Sequence, residues 1–222
     1  MTVPSDALPP PPPPPRKHLR RHEDPHHARF LTFSCFRRLP LLFDPDTRDC
    51  LARHLERTRA RWKFHLYAWV VMPEHVHLLL WPRLPDGPVA KVLHDLKRST
   101  AQETIGWWRG RDAGSLAEIR GSDGTIRIWQ RGGGYDRNIS SLAEFDEKLR
   151  YIHENPVCRG LVPRPEDWAW SSARWHAGWG GDCTGPVAID PLPPTRPAGS
   201  PSVGEGHDAS GGACISRRRA AD

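Results

Sequence analysis

The chain has 222 residues, with 32 lysines and arginines against 26 acids, a formal charge of +6 and twelve histidines. A pI near 9.4 and a mean hydropathy of −0.62 favour polyanionic partners without naming one. There is no apolar run near the roughly 18 residues of a membrane span and no secretory leader, and the five cysteines lack CxxC spacing. A cytoplasmic, chromosome-associated protein with reduced thiols and no membrane partner is expected.

Seven consecutive prolines, Pro9 to Pro15, are followed by a basic arm, RKHLRRHEDPHHAR. The tract reads as a stiff spacer, and the arm as a solvated linker or a strap that touches phosphates. Beyond residue 180 the sequence is mostly Gly, Pro, Ser, Ala and charge, with too little apolar surface to offset the entropy of ordering. The expected organisation is a disordered arm over 1–27, one folded domain over 28–180 and a disordered tail over 181–222.

Within the domain, RFLTFSCF at 29–36 has the composition of a strand. Asp46 to Arg61 reads as a helix capped by Asp46 or Thr47, with Leu51, Leu55 and Thr58 along one side. Residues 62–71 form a second strand, Met72-Pro73-Glu74 breaks the run, and His75 to Trp81 returns as an antiparallel neighbour, because so short a link cannot make a parallel crossover. A second helix begins near Pro88, follows Val89, Val92, Leu93 and Leu96, and ends near Trp107 to Gly110. Residues 114–124 read as loop and TIRIWQ at 125–130 as a fourth strand. After a glycine hinge at 132–134, Ser141 with Glu144 forms a capping box for a last helix whose buried stripe is Leu142, Phe145, Leu149 and Ile152. The order β, α, β, β, α, β, α predicts an α+β fold with a small antiparallel sheet, one face of which is left for another layer or for substrate.

The most informative feature is His75-Val76-His77. Strand alternation sends both imidazoles to one face and Val76 to the other with Leu78 and Leu80, so two nitrogen ligands converge on one cation. No Cys or further His completes a structural zinc site, so other ligands must come from elsewhere. Tyr151 and Asn155, four residues apart near the end of the last helix, share one side of it. Pro156 biases Asn155 away from helical angles and places it on a frayed turn. A tyrosine attacks poorly until its anion is stabilised or its proton removed. A divalent ion would polarise a scissile phosphate, and the resulting phosphotyrosine would conserve the bond energy for rejoining. Of the three tyrosines, Tyr67 packs in a strand. Tyr135 is the rival to Tyr151 but follows a mobile hinge, whereas a helix fixes Tyr151 relative to Asn155.

Three stretches, HLYAWVVMPEHVHLLL at 65–80, LRYIHENPVCRGLV at 149–162 and WAWSSARW at 168–175, resemble the REP-associated tyrosine transposases of the single-tyrosine HUH nuclease superfamily. The likeness covers about residues 28–176. It implies a ferredoxin-like (RRM-like) sheet of the HUH endonuclease type, His75, His77 and Asn155 as ligands of Mg2+ or Mn2+, and Tyr151 as the nucleophile forming a 5′-phosphotyrosine. It further implies transposase-type cleavage and rejoining of single-stranded or hairpin DNA, by a monomer or a homodimer that swaps the tyrosine helix. The chain departs from the pattern at Glu74, where asparagine is common, and in residues 110–124, which read as a loop insertion. Lys91, Lys97, Arg98, Arg127, Arg131, Arg159 and Arg164 are the candidate phosphate contacts, and binding through them would weaken with salt. Trp168, Trp170 and Trp175 are read as core or clamp residues, with base stacking the alternative. Two other readings remain open: a non-catalytic nucleic-acid-binding protein derived from a transposase, and a structural metal protein.

Overall fold

A computed structural model describes residues 26–111, 113–132, 134–178 and 187–191. The proline tract and most of the basic arm lie outside these residues, as do 179–186 and everything after 191.

The elements in order are β1 (Ala28–Ser34), α1 (Pro45–Trp62), β2 (His65–Val71), β3 (His75–Trp81), α2 (Val89–Arg111), the short α3 (Ala113–Glu118), β4 (Tyr135–Ile139), α4 (Leu142–Cys158) and the single turn α5 (Ala173–His176). The strands form one sheet in the order β2-β3-β1-β4 with every described pair antiparallel. This βαββαβ arrangement is ferredoxin-like, as expected, with α4 added.

Each helix has a local cause. At α1, the Asp44 carboxylate accepts from the Asp46 amide at 3.1 Å and Pro45 takes the first turn, so the cap lies two residues before the expected one. The helix ends at Lys63, which adopts the left-handed region at φ 53°. Along α2, Val89, Val92, Leu93, Leu96, Thr100 and Thr104 are buried at spacings of three and four. This helix runs past its expected end through Gly106 and Gly110, which weaken a helix by about 1 kcal/mol each without breaking it. At α4 the Ser141 hydroxyl accepts from the Glu144 amide at 3.2 Å, while Glu144 reaches back to the amide of Ser140 and not to that of Ser141.

Helices α1 and α2 cover one sheet face, where Leu31, Phe33, Trp69, Val71, Val76, Leu78 and Leu80 meet Leu51, Leu55, Val92 and Leu96. Full burial of each such side chain contributes about 1.5–3 kcal/mol. The opposite face is only partly covered. There Phe145 and Ile152 of α4 pack on Tyr67, Ala68, Val70, Leu79 and Ile139. The register shift between Leu66 and Ala68 puts the consecutive residues Tyr67 and Ala68 on this same face.

The fourth strand lies elsewhere than expected. Residues 125–130 make only isolated bridges, Arg120 with Ile126 and Cys35 with Trp129, and their adjacent apolar pair, Ile128 and Trp129, plugs the α2 side of the core. The strand that completes the sheet is Tyr135–Ile139, which pairs with β1. Its polar composition suits an edge: Asp136 binds the guanidinium of the buried Arg29 at 2.9 Å, and Asn138 also accepts from it. Gly134 is required at its start, because at φ 74° a Cβ would overlap the Thr32 carbonyl. The stretch read as a 114–124 loop includes most of α3.

The outer edge of β2 is sealed by the closing segment. Trp170 and Ser172 exchange backbone hydrogen bonds with Val71 and Trp69 at 2.9 and 3.0 Å. The expectation that the folded part stops at residue 180 needs correction, since Val187 and Ile189 are buried in the core. Asp190 joins them because its amide donates to the Leu66 carbonyl, while its carboxylate accepts from the Leu66 amide and from Arg59, each at 2.8 Å. No described helix is long and apolar enough to cross a membrane. Cys35 and Cys50 are buried free thiols, and Cys158 is exposed.

Candidate active site

His75 and His77 enter from β3 on the face that carries α4, while Val76 lies in the opposite core with Leu78 and Leu80. Their Nε2 atoms are 2.9 Å apart, and both rings are buried. Each outer nitrogen has its own partner. The Glu74 carboxylate lies 3.1 Å from Nδ1 of His75, and the Thr32 hydroxyl lies 2.7 Å from Nδ1 of His77.

These partners decide where the protons sit. An ionised carboxylate only accepts, so His75 carries its proton on Nδ1 and turns a bare lone pair inward from Nε2. Burial alone would raise the Glu74 carboxyl, but the hydrogen bond from His75 and the charge of Arg159, 2.8 Å away, outweigh it and hold the group below its ordinary pKa. Burial, helped by the neighbouring His75, lowers the pKa of His77 well below its ordinary value, so its ring stays neutral.

Asn155 approaches from α4, its amide nitrogen 3.3 Å from Nε2 of His77 and its oxygen buried without a partner. The helix does not fray at this point. It continues through Pro156 to Cys158, with Arg159 donating to the Asn155 carbonyl at 3.1 Å. The expected effect of the proline on Asn155 is overridden because the buried Pro156 packs within the turn. Two inward imidazole nitrogens with the Asn155 amide beside one of them make a polar cup that a cation would fit. Two ligands at right angles, each about 2.1 Å from one ion, lie about 3 Å apart, which is the spacing of the two imidazoles here.

Tyr151 lies one turn before Asn155, on the same side of the sheet as the histidines. Its ring centre is 5.3 Å from that of His77 and 5.8 Å from that of Phe30, and the side chain is 46% exposed. Tyr135 is not left mobile by the glycines. It opens β4 opposite Thr32, its ring 6.0 Å from Phe30, and it is half exposed. Arg137 holds its phenol, and the Arg137 pKa is raised by that hydrogen bond and by the charge of Glu144, 2.6 Å from the guanidinium. Tyr67 is buried against Phe145, as expected.

The candidate phosphate contacts do not form one surface. Lys91, Lys97 and Arg98 ride on α2, on the face away from the histidines, and Lys97, Arg98 and Arg127 line a cavity of about 470 Å3 there. Arg127 and Arg131 both pair with Asp123, and Arg164 pairs with Asp167 at 2.8 Å. Only Arg159 borders the cup, through Glu74. The site face instead carries Arg137 and Lys148, the latter 5.8 Å from the centre of the Phe30 ring. Neither was anticipated, since nothing in YDRNIS identified its strand. Trp168 and Trp170 act as clamps: Trp168 donates to the Val71 carbonyl at 3.0 Å, and Trp170 donates to Asp49 at 2.8 Å beneath the Arg48 guanidinium. Trp175 is 38% exposed.

Residues 27–106 match the family model described as "Transposase IS200 like". More particularly, the chain resembles the REP-associated tyrosine transposases. It is 28% identical over 128 residues to the protein of that name from Escherichia coli (strain K12), a match covering 54% of this chain and 66% of the relative, just under two thirds of its length. In fold it matches a REP-associated tyrosine transposase solved bound to a REP hairpin, with a TM-score of 0.56, 20% identity, and coverage of 83% of this chain and 98% of that one.

Proposed function

We propose that the chain is a tyrosine transposase that cleaves and rejoins single-stranded DNA beside hairpins of the REP type. The observation that carries this reading is that one chain holds two inward imidazole nitrogens 2.9 Å apart, an amide 3.3 Å from one of them and an accessible phenol beside the same ring. The solved relative bound to a REP hairpin supports hairpin DNA as the ligand.

His75, His77 and Asn155 would hold a Mg2+ or Mn2+ ion. When bound, such an ion draws charge from the scissile phosphate. Glu74 and Thr32 keep the two ring nitrogens turned inward. The Tyr151 phenol oxygen attacks the phosphorus as its proton leaves to solvent, the bond to the 3′ oxygen breaks, and a 5′-phosphotyrosine and a free 3′ hydroxyl result. Rejoining reverses these bond changes with the 3′ hydroxyl of a second strand, so no nucleotide hydrolysis is needed. Arg137 and Lys148 border the open part of the face and suit the phosphates flanking the cut. One chain supplies every group named, so the reaction does not require a swapped helix.

The test is incubation of the full chain with labelled hairpin DNA, flanked by single strand, and Mn2+. A covalent adduct joining the protein to the 5′ phosphate of the fragment downstream of the cut is expected from the native chain and none from Tyr151→Phe. Hairpin binding without an adduct, in a folded and metal-loaded sample, would leave a non-catalytic DNA-binding protein as the correct reading.

A further inference from the structure

We infer that Cys50, His54 and Glu103 form a second metal site, selective for a thiophilic divalent ion such as Zn2+, that fastens α1 to α2 on the side of the sheet away from the histidine pair. Cys50 and His54 are one helical turn apart on α1, both buried, and Glu103 faces them from α2. One donor atom from each lies within 4.8 Å of the other two, and Nε2 of His54 is 2.8 Å from a Glu103 oxygen. Donors around a tetrahedral zinc ion lie roughly 3.3–3.8 Å apart, so small side-chain adjustments bring all three into range.

The surrounding groups suit an ion. Arg53 binds the other Glu103 oxygen at 2.6 Å, which orients the carboxylate as an outer partner of a metal ligand should. A cleft of about 260 Å3 lined by Asp46, Asp49, Arg53, Trp107 and Arg111 opens beside Arg53. Glu103 already draws the other two groups toward one point, pairing with His54 and accepting from the buried Cys50 thiol one turn away on the same side. On binding, the Cys50 S–H bond is exchanged for an S–metal bond and the proton leaves to solvent, with no change in oxidation state. Donor softness separates the two sites. A thiolate with an imidazole selects zinc or cobalt, whereas the histidine pair with Asn155 offers no sulfur and would leave its remaining positions to the oxygens of water and phosphate.

The experiment uses Co2+ as the probe, with the full chain carrying His75→Ala and His77→Ala so that the first site is silent. One equivalent should bind, with a near-ultraviolet thiolate-to-cobalt band, displacement by Zn2+, and a raised melting temperature. Cys50→Ser, checked by circular dichroism for native helix content, should abolish the band. Glu103→Gln should weaken binding at least about tenfold. Absence of the band in the folded His-pair variant overturns the inference, as does a band that survives Cys50→Ser. Because this readout needs neither DNA nor the histidine pair, its failure leaves the proposed nuclease reading untouched, and the reverse also holds.

Discussion

Replacing Glu74 tests whether the inward lone pairs are set by what stands behind the rings. Its side chain is 11% exposed, lies 3.1 Å from Nδ1 of His75 and pairs with Arg159 at 2.8 Å. In Glu74→Ala the imidazole loses the acceptor that selects its tautomer and fixes its rotation. Loss of such an outer partner lowers metal affinity about 10–100-fold, or about 1.4–2.8 kcal/mol at 1.4 kcal/mol per decade. The effect on folding should be smaller, because opposing contributions offset one another. The variant gives up a charge-assisted pair but no longer buries a carboxylate, and Arg159, whose side chain is 52% exposed, rehydrates its freed head. Glu74→Gln keeps an acceptor oxygen without the charge and should fall between the variant and the native chain. Mn2+ titration by calorimetry, with thermal melts alongside, measures both quantities. Native Mn2+ affinity in Glu74→Ala, within about twofold, would refute the argument, since the expected loss is at least tenfold.

Tyr151→Phe should abolish the covalent adduct and retain hairpin binding, whereas Tyr135→Phe should retain the adduct; gel analysis of denatured complexes decides which phenol reacts. Trp168→Ala should cost about 3–5 kcal/mol in urea unfolding, because it empties a buried site and leaves the Val71 carbonyl without its donor. Gly134→Ala should cost about 1–3 kcal/mol through strain at positive φ and overlap with Thr32, read from the same unfolding curves. Stability should also fall in mild acid. Burial, with the nearby His176, lowers the His153 pKa from 6.5 to about 3, so between these values the unfolded chain binds the extra proton and folding loses up to about 1.4 kcal/mol per pH unit. His153→Gln should flatten that dependence between pH 6 and 4, roughly the same window.

The readable parts of the sequence were those where one periodicity acts alone. The alternation through His75 to Leu80 assigned both faces of β3 correctly, and the three-and-four spacing found the buried stripes of α1 and α2 and, in α4, Phe145 and Ile152 with a partly buried Leu149, whereas Leu142 at its first turn is exposed. Two competing effects hid the rest. TIRIWQ alternates like a strand, but Ile128 and Trp129 are consumed together in plugging the core. YDRNI lacks apolar alternation because its inward Asp136 and Asn138 serve a buried arginine 107 and 109 residues away, a long-range pairing that no local window contains. The same non-locality explains the site. The histidine pair was visible in five residues, but its partner Thr32 is 45 residues distant and became evident only once β1 lay beside β3. The return of Val187 to Asp190 was hidden likewise, since four residues in a polar tail carry no period.

The closing segment explains how a helix crossing an open sheet face keeps a phenol in register with a strand. Tyr151, exposed, and Asn155, half-buried, face the histidine pair from α4, and the two residues between Tyr151 and Glu154 do the fastening. Ile152 is fully buried, and His153 lies 2.9 Å from the Ser172 hydroxyl, which itself accepts from the Trp69 amide at 3.0 Å. Ser172 is thereby shared between the helix and the edge of β2. A slip of α4 by one residue would rotate Tyr151 about 100° off the face and break the His153 contact inside the core. An unpaired buried polar group costs about 1–3 kcal/mol, so the register that places the nucleophile is also the register of lowest energy. Ser172→Ala should therefore loosen Tyr151 without touching it, and adduct formation at saturating hairpin should slow while Tyr151→Phe alone abolishes it. An unchanged single-turnover rate in Ser172→Ala would mean that Ile152 suffices to set the helix.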